Sequence, residues 1–394
     1  MLRSRSYAEG GVVMKQFYLP TRILTGLGCL SALADVTQPF GQRALLVCGA
    51  NALRRAGTLD RTVDALKGAG IETWLFDAVP PEPTLDVVQD AIGLARREGV
   101  EVVIGMGGGS AIDVGKAAAA LCNKPGTVRD YHGGRAVQDP GLPFVCVPTT
   151  AGTGSEVTNN AVLTDPEAGV KKSIRGSRLY AAAAIVDPEL TLSLPPDVTA
   201  SSGADALCQA IESFTAQGAQ AASDALSGQA IARIGRSLVR AWQQGSDVPA
   251  RADMLYGSLL AGMSMTNTRL GGAHGLAHPL GFHFHIAHGT LCGLLLPYVM
   301  EYSLEHAPDK YAAVAALLGV DTSGMTAVEA AREALATVRV ILDTIGVPRH
   351  LSALGVKKEG FATIVEESLP SANVRNNARP LEAEDLRAIL ERAY

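Results

Sequence analysis

GMGGGSAIDVGKAAAAL, residues 105–121, joins the end of an apolar β-type run (EVVIGM, 101–106) to an alanine-rich helical stretch. A glycine run at the carboxyl end of a strand, opening a helix, presents backbone N–H groups and the helix dipole to a phosphate. Only glycine permits that close approach. Ser110 stands where G-x-G-x-x-G has its third glycine, and Lys116 lies too far along for a P-loop. A tight structural turn would use the same glycines. The reading gains weight from a second loop, PTTAGTGSEVTNNAV (148–162), which follows the strand-like FVCV (144–147) with four hydroxyl residues and two glycines in eight positions. Two such loops converge at the carboxyl edge of a parallel sheet, where doubly wound folds bind nucleotides.

Outward from these loops, short apolar runs alternate with helical patterns from Gln16 to about Asp187. FYLPTRILTG (17–26) reads as a leading strand or a hairpin ending at Gly26. RALLVC (43–48), ETWLF (72–76) and Ala183–Val186 read as strands, and 59–69 and 85–98 as helices. After Pro188, alanine- and leucine-rich segments of helical period dominate: about 197–216, 220–243, 249–266, 272–281, 289–304, 308–318, 326–344 and 358–368. The expected fold is an α/β Rossmann-like N-terminal domain followed by an all-α C-terminal domain. The expected boundaries are a flexible tail at 1–15, a dinucleotide-binding domain at 16–188 and a helical metal and substrate domain at 189–394.

A chain of 394 residues suits two domains of ordinary size. With 19% charged residues and a net charge of -5, it offers no electrostatic case for nucleic acid or an anionic membrane surface. No stretch approaches the roughly 20 apolar residues of a membrane span. The six cysteines are scattered without a Cys-x-x-Cys pair, which fits buried free thiols in a reducing, cytoplasmic setting.

The chemistry concentrates in GAHGLAHPLGFHFHIAHGTLCGLLLP, residues 272–297, which holds five of the eight histidines. His274 and His278, four apart, share one helix face, and His288 follows after a short turn. Imidazole suits zinc and ferrous iron, so this run offers two or three ligands. The plainer reading makes a few of them ligands or catalysts and the rest ordinary polar residues. A carboxylate must come from elsewhere, and GADALCQAIESF (203–214) is the best source, with Asp205 and Gln209 at the same helical spacing.

Taken together, GGGSAIDVGKA, PTTAGTGSEVT, IVDPEL, GADAL…AIESF and HGLAHPLG…HG resemble the motifs of the iron-containing (group III) alcohol dehydrogenase family, in order and across nearly the whole chain. The resemblance implies oxidation of an alcohol, or reduction of an aldehyde or ketone, with NAD or NADP at a cleft between the two domains. It places Gly108, Gly109, Ser110 and Asp113 at the pyrophosphate and neighbouring ribose. Thr149, Thr150, Thr153 and Thr158 would line the cofactor path, and Lys171 (or Lys172) would meet the nicotinamide ribose. Asn160 falls near the substrate and His278 beside substrate and nicotinamide, as the catalytic proton relay. The family's Fe2+ or Zn2+ ligands fall on Asp205, Gln209, His274 and His288; His283 and His285 match no ligand position. A homodimer or larger homo-oligomer is implied as well.

Two departures qualify this. Gln209 stands where most members have histidine, and an amide oxygen is the weaker ligand, so the site either holds iron, zinc or another divalent ion more loosely or is metal-free, as in maleylacetate reductases. Gly49 ends RALLVC where NAD-specific members place an aspartate, so NADP(H) is expected to be accepted, with Arg54 or Arg55 as a source of attraction. Glu82 replaces an asparagine found near the adenosine in some relatives. A cyclase of the dehydroquinate synthase kind shares the two-domain plan and stands as a rival of another class.

Overall fold

The computed structural model describes residues 15–394. All but the last residue of the tail expected at 1–15 lies outside the described residues; Lys15 donates a hydrogen bond to the Ala219 carbonyl. Eight strands follow: β1 (Arg22–Thr25), β2 (Arg43–Gly49), β3 (Glu72–Val79), β4 (Val102–Gly107), β5 (Phe144–Pro148), β6 (Asn160–Asp165), β7 (Val170–Arg175) and β8 (Ala183–Val186). Six of them form one parallel sheet in the order β1-β8-β5-β4-β2-β3. The segment at 17–26 is therefore not a hairpin. Arg22 to Thr25 pair in parallel with Ala183 to Val186, so the first and last strands of this half lie side by side at one edge. Central strands β4 and β5 are buried along their whole length, which is why they read as unbroken apolar runs rather than alternating ones.

Crossover helices α1 (Thr58–Gly68) and α2 (Leu85–Arg97) flank the sheet, and α3 (Gly109–Leu121) springs from the end of β4. The antiparallel β6–β7 hairpin stands outside the sheet and packs against α3. It is an element that the sequence reading did not anticipate; only its first three residues fall in the second loop at 148–162.

The second half is helical: α4 (Pro196–Thr215), α5 (Ala221–Gln243), α6 (Val248–Thr268), α7 (Gly272–Phe284), α8 (His288–Ser303), α9 (Pro308–Leu317) and α10 (Ala327–Thr344), followed by shorter helices to Arg392. The expected helix at 358–368 is an α-helix only from Phe361, and Ala383–Arg392 is a further helix not anticipated. One apolar cluster runs without a break from one face of the sheet into these helices; a second, smaller one covers the sheet's other face. No helix among the described residues is long and apolar enough to cross a membrane.

One close contact between the halves is backbone on backbone. Gly154, at φ 59°, lies against Gly262 of α6, and a Cβ on Gly154 would stand 2.7 Å from the Gly262 Cα. A Cβ on Gly262 would in turn stand 2.8 Å from the Gly154 carbonyl oxygen. Neither position has room for a methyl group.

Candidate active site

At the end of β4 the chain turns through Gly107 and Gly108 into α3, and no side chain caps that helix. Its first N–H groups are left for a ligand, the arrangement that binds phosphate. Gly109 has a specific reason to be glycine, since a Cβ there would come within 2.8 Å of the Thr153 side chain. The two loops are thus in contact. Thr149 donates its N–H to the Gly107 carbonyl at 2.9 Å, and Thr150 packs on Gly108.

Beneath the cradle lies Lys116, 1% exposed. Its ammonium donates to the Ser155 carbonyl (2.7 Å), the Thr158 hydroxyl (3.0 Å) and the Asn160 carbonyl (2.8 Å). Asp113 sits beside it, with Oδ2 accepting from the Val162 N–H at 2.9 Å and Oδ1 3.8 Å from the ammonium. Thr158 and Asp113, expected to face the cofactor, are therefore also committed to holding the second loop and β6 on α3. The sequence reading missed Lys116, whose partners lie 39 to 44 residues away. Near them Glu156 is buried, and burial pushes its carboxyl pKa up to about 7.

The histidine pocket is assembled from α4, α7 and α8. His274 offers Nε2 to Asp205 Oδ1 at 3.2 Å, while its Nδ1–H donates to Glu212 Oε2 at 2.7 Å. Glu212 also accepts the N–H groups of Gly271 (2.9 Å) and Ala273 (2.7 Å), which fixes the start of α7. His288 Nε2 stands 3.9 Å from the same Asp205 oxygen, and Cys292 Sγ lies 3.5 Å from His288 Nε2. Donor atoms of Asp205, His274, His288 and Cys292 all lie within 4.8 Å of one another. One turn along from Asp205, Gln209 is 3% exposed, and its Oε1 has no hydrogen-bond partner among the described residues. His288 Nδ1 is likewise unpartnered. Buried polar atoms are rarely left so without a ligand to take them.

Burial opposes protonation of His274, yet Cys292, Glu212 and Asp205 outweigh it and raise its pKa well above the ordinary imidazole value. Burial also opposes ionisation of Cys292, but the Cys208 thiol and both histidines hold it well below the ordinary thiol range. His278 differs: burial, then His288 and Lys171, drive its pKa well below the usual value, so it is neutral. Its ring centroid is 5.1 Å from that of His288.

Both regions open into one cavity of about 250 Å³. Its wall includes Gly109, Ser110, Asp113, Thr153, Thr158, Asn160, Lys171, Asp205, Gln209, His274, His278 and His288. Gly49, Gly108, Thr149 and Thr150 lie outside that wall, the first at the end of β2 and the others behind the cradle. Lys171 is in the wall and pairs with Glu82, whereas the fallback Lys172 is exposed elsewhere. Arg54 pairs with Asp77. His283 bonds Glu367 at 2.9 Å, away from the pocket. Glu212 and Cys292 went unread, although each had a signal: Asp205 and Glu212 are two helical turns apart, and Cys292 follows His288 by four residues.

A glycine cradle and a donor-lined histidine pocket on one cavity define a two-part oxidoreductase. Residues 20–188 match the family described as iron-containing alcohol dehydrogenase, and 199–394 match the C-terminal part of the same family. The 1,3-propanediol dehydrogenase of Klebsiella pneumoniae is 36% identical over 383 residues, covering 97% of this chain and 99% of the relative. The long-chain-alcohol dehydrogenase 1 of Geobacillus thermodenitrificans (strain NG80-2) is 38% identical, covering 94% of each. A crystal structure of 1,3-propanediol oxidoreductase superimposes with a TM-score of 0.93 at 37% identity, covering 97% of this chain and 100% of that one. The chain belongs to the iron-containing alcohol dehydrogenase family and is an oxidoreductase acting on alcohols and aldehydes.

Proposed function

We propose that this chain interconverts an alcohol with its aldehyde or ketone using NAD(P)(H), with a divalent cation, iron or zinc, in the histidine pocket. The observation that carries the metal is the orphaned Gln209 Oε1, buried one helical turn from a carboxylate and two imidazoles whose donor atoms converge. Asp205, Gln209, His274 and His288 would hold the ion, with Cys292 as a further donor. When bound, a divalent cation polarises the substrate oxygen and lowers the hydroxyl pKa.

The remaining work falls to the chain's own groups. Gly109, Ser110 and the free N–H groups at the start of α3 take the pyrophosphate, with Gly108, Thr149 and Thr150 supporting the cradle from behind. Thr153, beside the cradle, and Lys171 line the route toward the nicotinamide. Glu212 accepts from His274 Nδ1–H and fixes the ring, so that Nε2 would turn its lone pair to the ion once its own proton is released. Asn160 offers an amide to the substrate, and His278, in the cavity wall beside His288, stands where it can relay the hydroxyl proton. Gly49 leaves no carboxylate at the end of β2, so NADP(H) is accepted beside NAD(H). Because Arg54 is engaged by Asp77, Arg55 is the side chain left to meet a 2′-phosphate.

Metal content of anaerobically purified protein, with activity before and after chelation, tests the reading. Near-stoichiometric iron or zinc is expected, with activity lost on chelation and restored by the ion. Full activity without metal would overturn the metal's role. His278→Ala should cut turnover far more than cofactor affinity; unchanged turnover would remove His278 from the proton path.

A further inference from the structure

The cavity wall holds three carboxylates, and each is already engaged: Glu82 by Lys171, Asp113 by the Val162 N–H, and Asp205 by the histidines. It also holds two guanidiniums, Arg175 and Arg269. Neither takes part in any ion pair among the described residues. Arg175, at the end of β7 and opposite Asn160 in the hairpin register, has one polar contact, with Asn159 Oδ1 at 3.2 Å. Both arginines are exposed, and Arg175 lies close to Arg269. Two like charges thus line one cavity, neither paired with a carboxylate among the described residues.

Arg269 adds a second, independent observation. It follows α6 with φ 67° and ψ −171°, a backbone region that is essentially glycine's alone. The chain bears an arginine at a strained position three residues before α7, on the helical side of the cavity and away from the glycine cradle. Strain of this kind gathers at ligand clamps.

We propose that the substrate bears an anionic end, a carboxylate or sulfonate, which Arg175 and Arg269 hold while its alcohol or aldehyde end lies at the histidine pocket. The proposal rests on the dehydrogenase reading above and adds the substrate class to it. Guanidinium matches the fork of either anion. Charge-assisted hydrogen bonds of this kind correspond to about tenfold to a hundredfold in affinity.

The test is the kcat/KM of the metal-loaded enzyme with NAD(P)H for butanal, 4-oxobutanoate and 3-oxopropane-1-sulfonate, which share a chain length and differ in the terminal group. An anionic aldehyde should exceed butanal by about tenfold or more, and the better anion names the group. Arg269→Gly, which suits the backbone and should melt no lower than the native chain, should bring that ratio close to one. Arg175→Gln should do the same through the aldehyde KM. A native ratio at or below one, a ratio kept in both variants, or a raised KM for NAD(P)H in place of the aldehyde would each overturn the proposal. Reduction of butanal without an anion preference would sink this inference alone. No reduction of any of the three with either nicotinamide would sink the dehydrogenase reading with it.

Discussion

Lys116 and Gln209 are both polar, both almost wholly buried and both on helices that border the same cavity, yet the fold treats them in opposite ways. Three oxygens surround the Lys116 ammonium, from three points on the adjoining loop and hairpin. No described residue hydrogen-bonds Gln209 Oε1. The difference separates a buried charge that builds a site from a buried donor that waits on a ligand. Lys116 locks the second loop and the β6–β7 hairpin onto α3, so the cradle has a fixed shape. Gln209 Oε1 makes no hydrogen bond among the described residues, which leaves it free for a cation or a hydrogen-bond donor in the pocket.

Substitutions on each side sharpen that contrast. Lys116→Met should have the largest effect, destabilising the chain by about 3–5 kcal/mol, because it strands Asp113 and three loop oxygens. Denaturant unfolding checks this, and a loss under 1 kcal/mol would break the structural half of the comparison. On the other side, Glu212→Gln should weaken metal binding by about tenfold to a hundredfold, since it loosens the grip on His274. Competition with a chelator measures it; unchanged affinity would show that His274 needs no such support. Cys292→Ser in the cobalt(II)-loaded protein should remove the sulfur-to-cobalt charge-transfer absorption while leaving the other four donors in place. Persistence of that band would exclude Cys292 as a donor.

The smallest expected effect concerns Glu156. Its folded pKa, about 7, lies above the ordinary 4.5, so the folded chain binds the proton more tightly than the unfolded one. Its stabilising contribution is full below pH 4.5 and is lost as pH rises through 7. Glu156→Gln should flatten that decline, raising the melting temperature above pH 7 by a few degrees relative to the native chain. A native melting temperature that stays level across this range would count against it.

Local patterns carried most of what was legible in the chain. The cradle announces itself because a strand, a glycine turn and a helix start occupy adjacent positions. His274 and His288 stand in one short run, and Asp205 shares a helical spacing with Gln209. What stayed hidden depends on distant partners. Nothing in an alanine-rich helix says that Lys116 will meet residues beyond 150, and nothing around Arg269 announces its backbone angle. The β6–β7 hairpin was hidden for another reason: NAVLTD and VKKSIR alternate well, with PEAG between them, but they abut a hydroxyl-rich loop that drew the reading. The pairing of β1 with β8 joins strands more than 150 residues apart, which no periodicity encodes.

The bare contact between Gly154 and Gly262 has a consequence for how such an enzyme changes its diet. Backbone touches backbone there, between the loop that carries Thr153 and the helix that leads to Arg269. The spacing of the jaws is thus set by the main chain itself, like a gauge with no adjusting screw. Any side chain larger than hydrogen at either position would pry them apart and shift the cradle away from the histidines. Evolution can retune what enters by exchanging the teeth, Met265, Arg269, Leu270 and Asn373 among them, while the bite stays the same width.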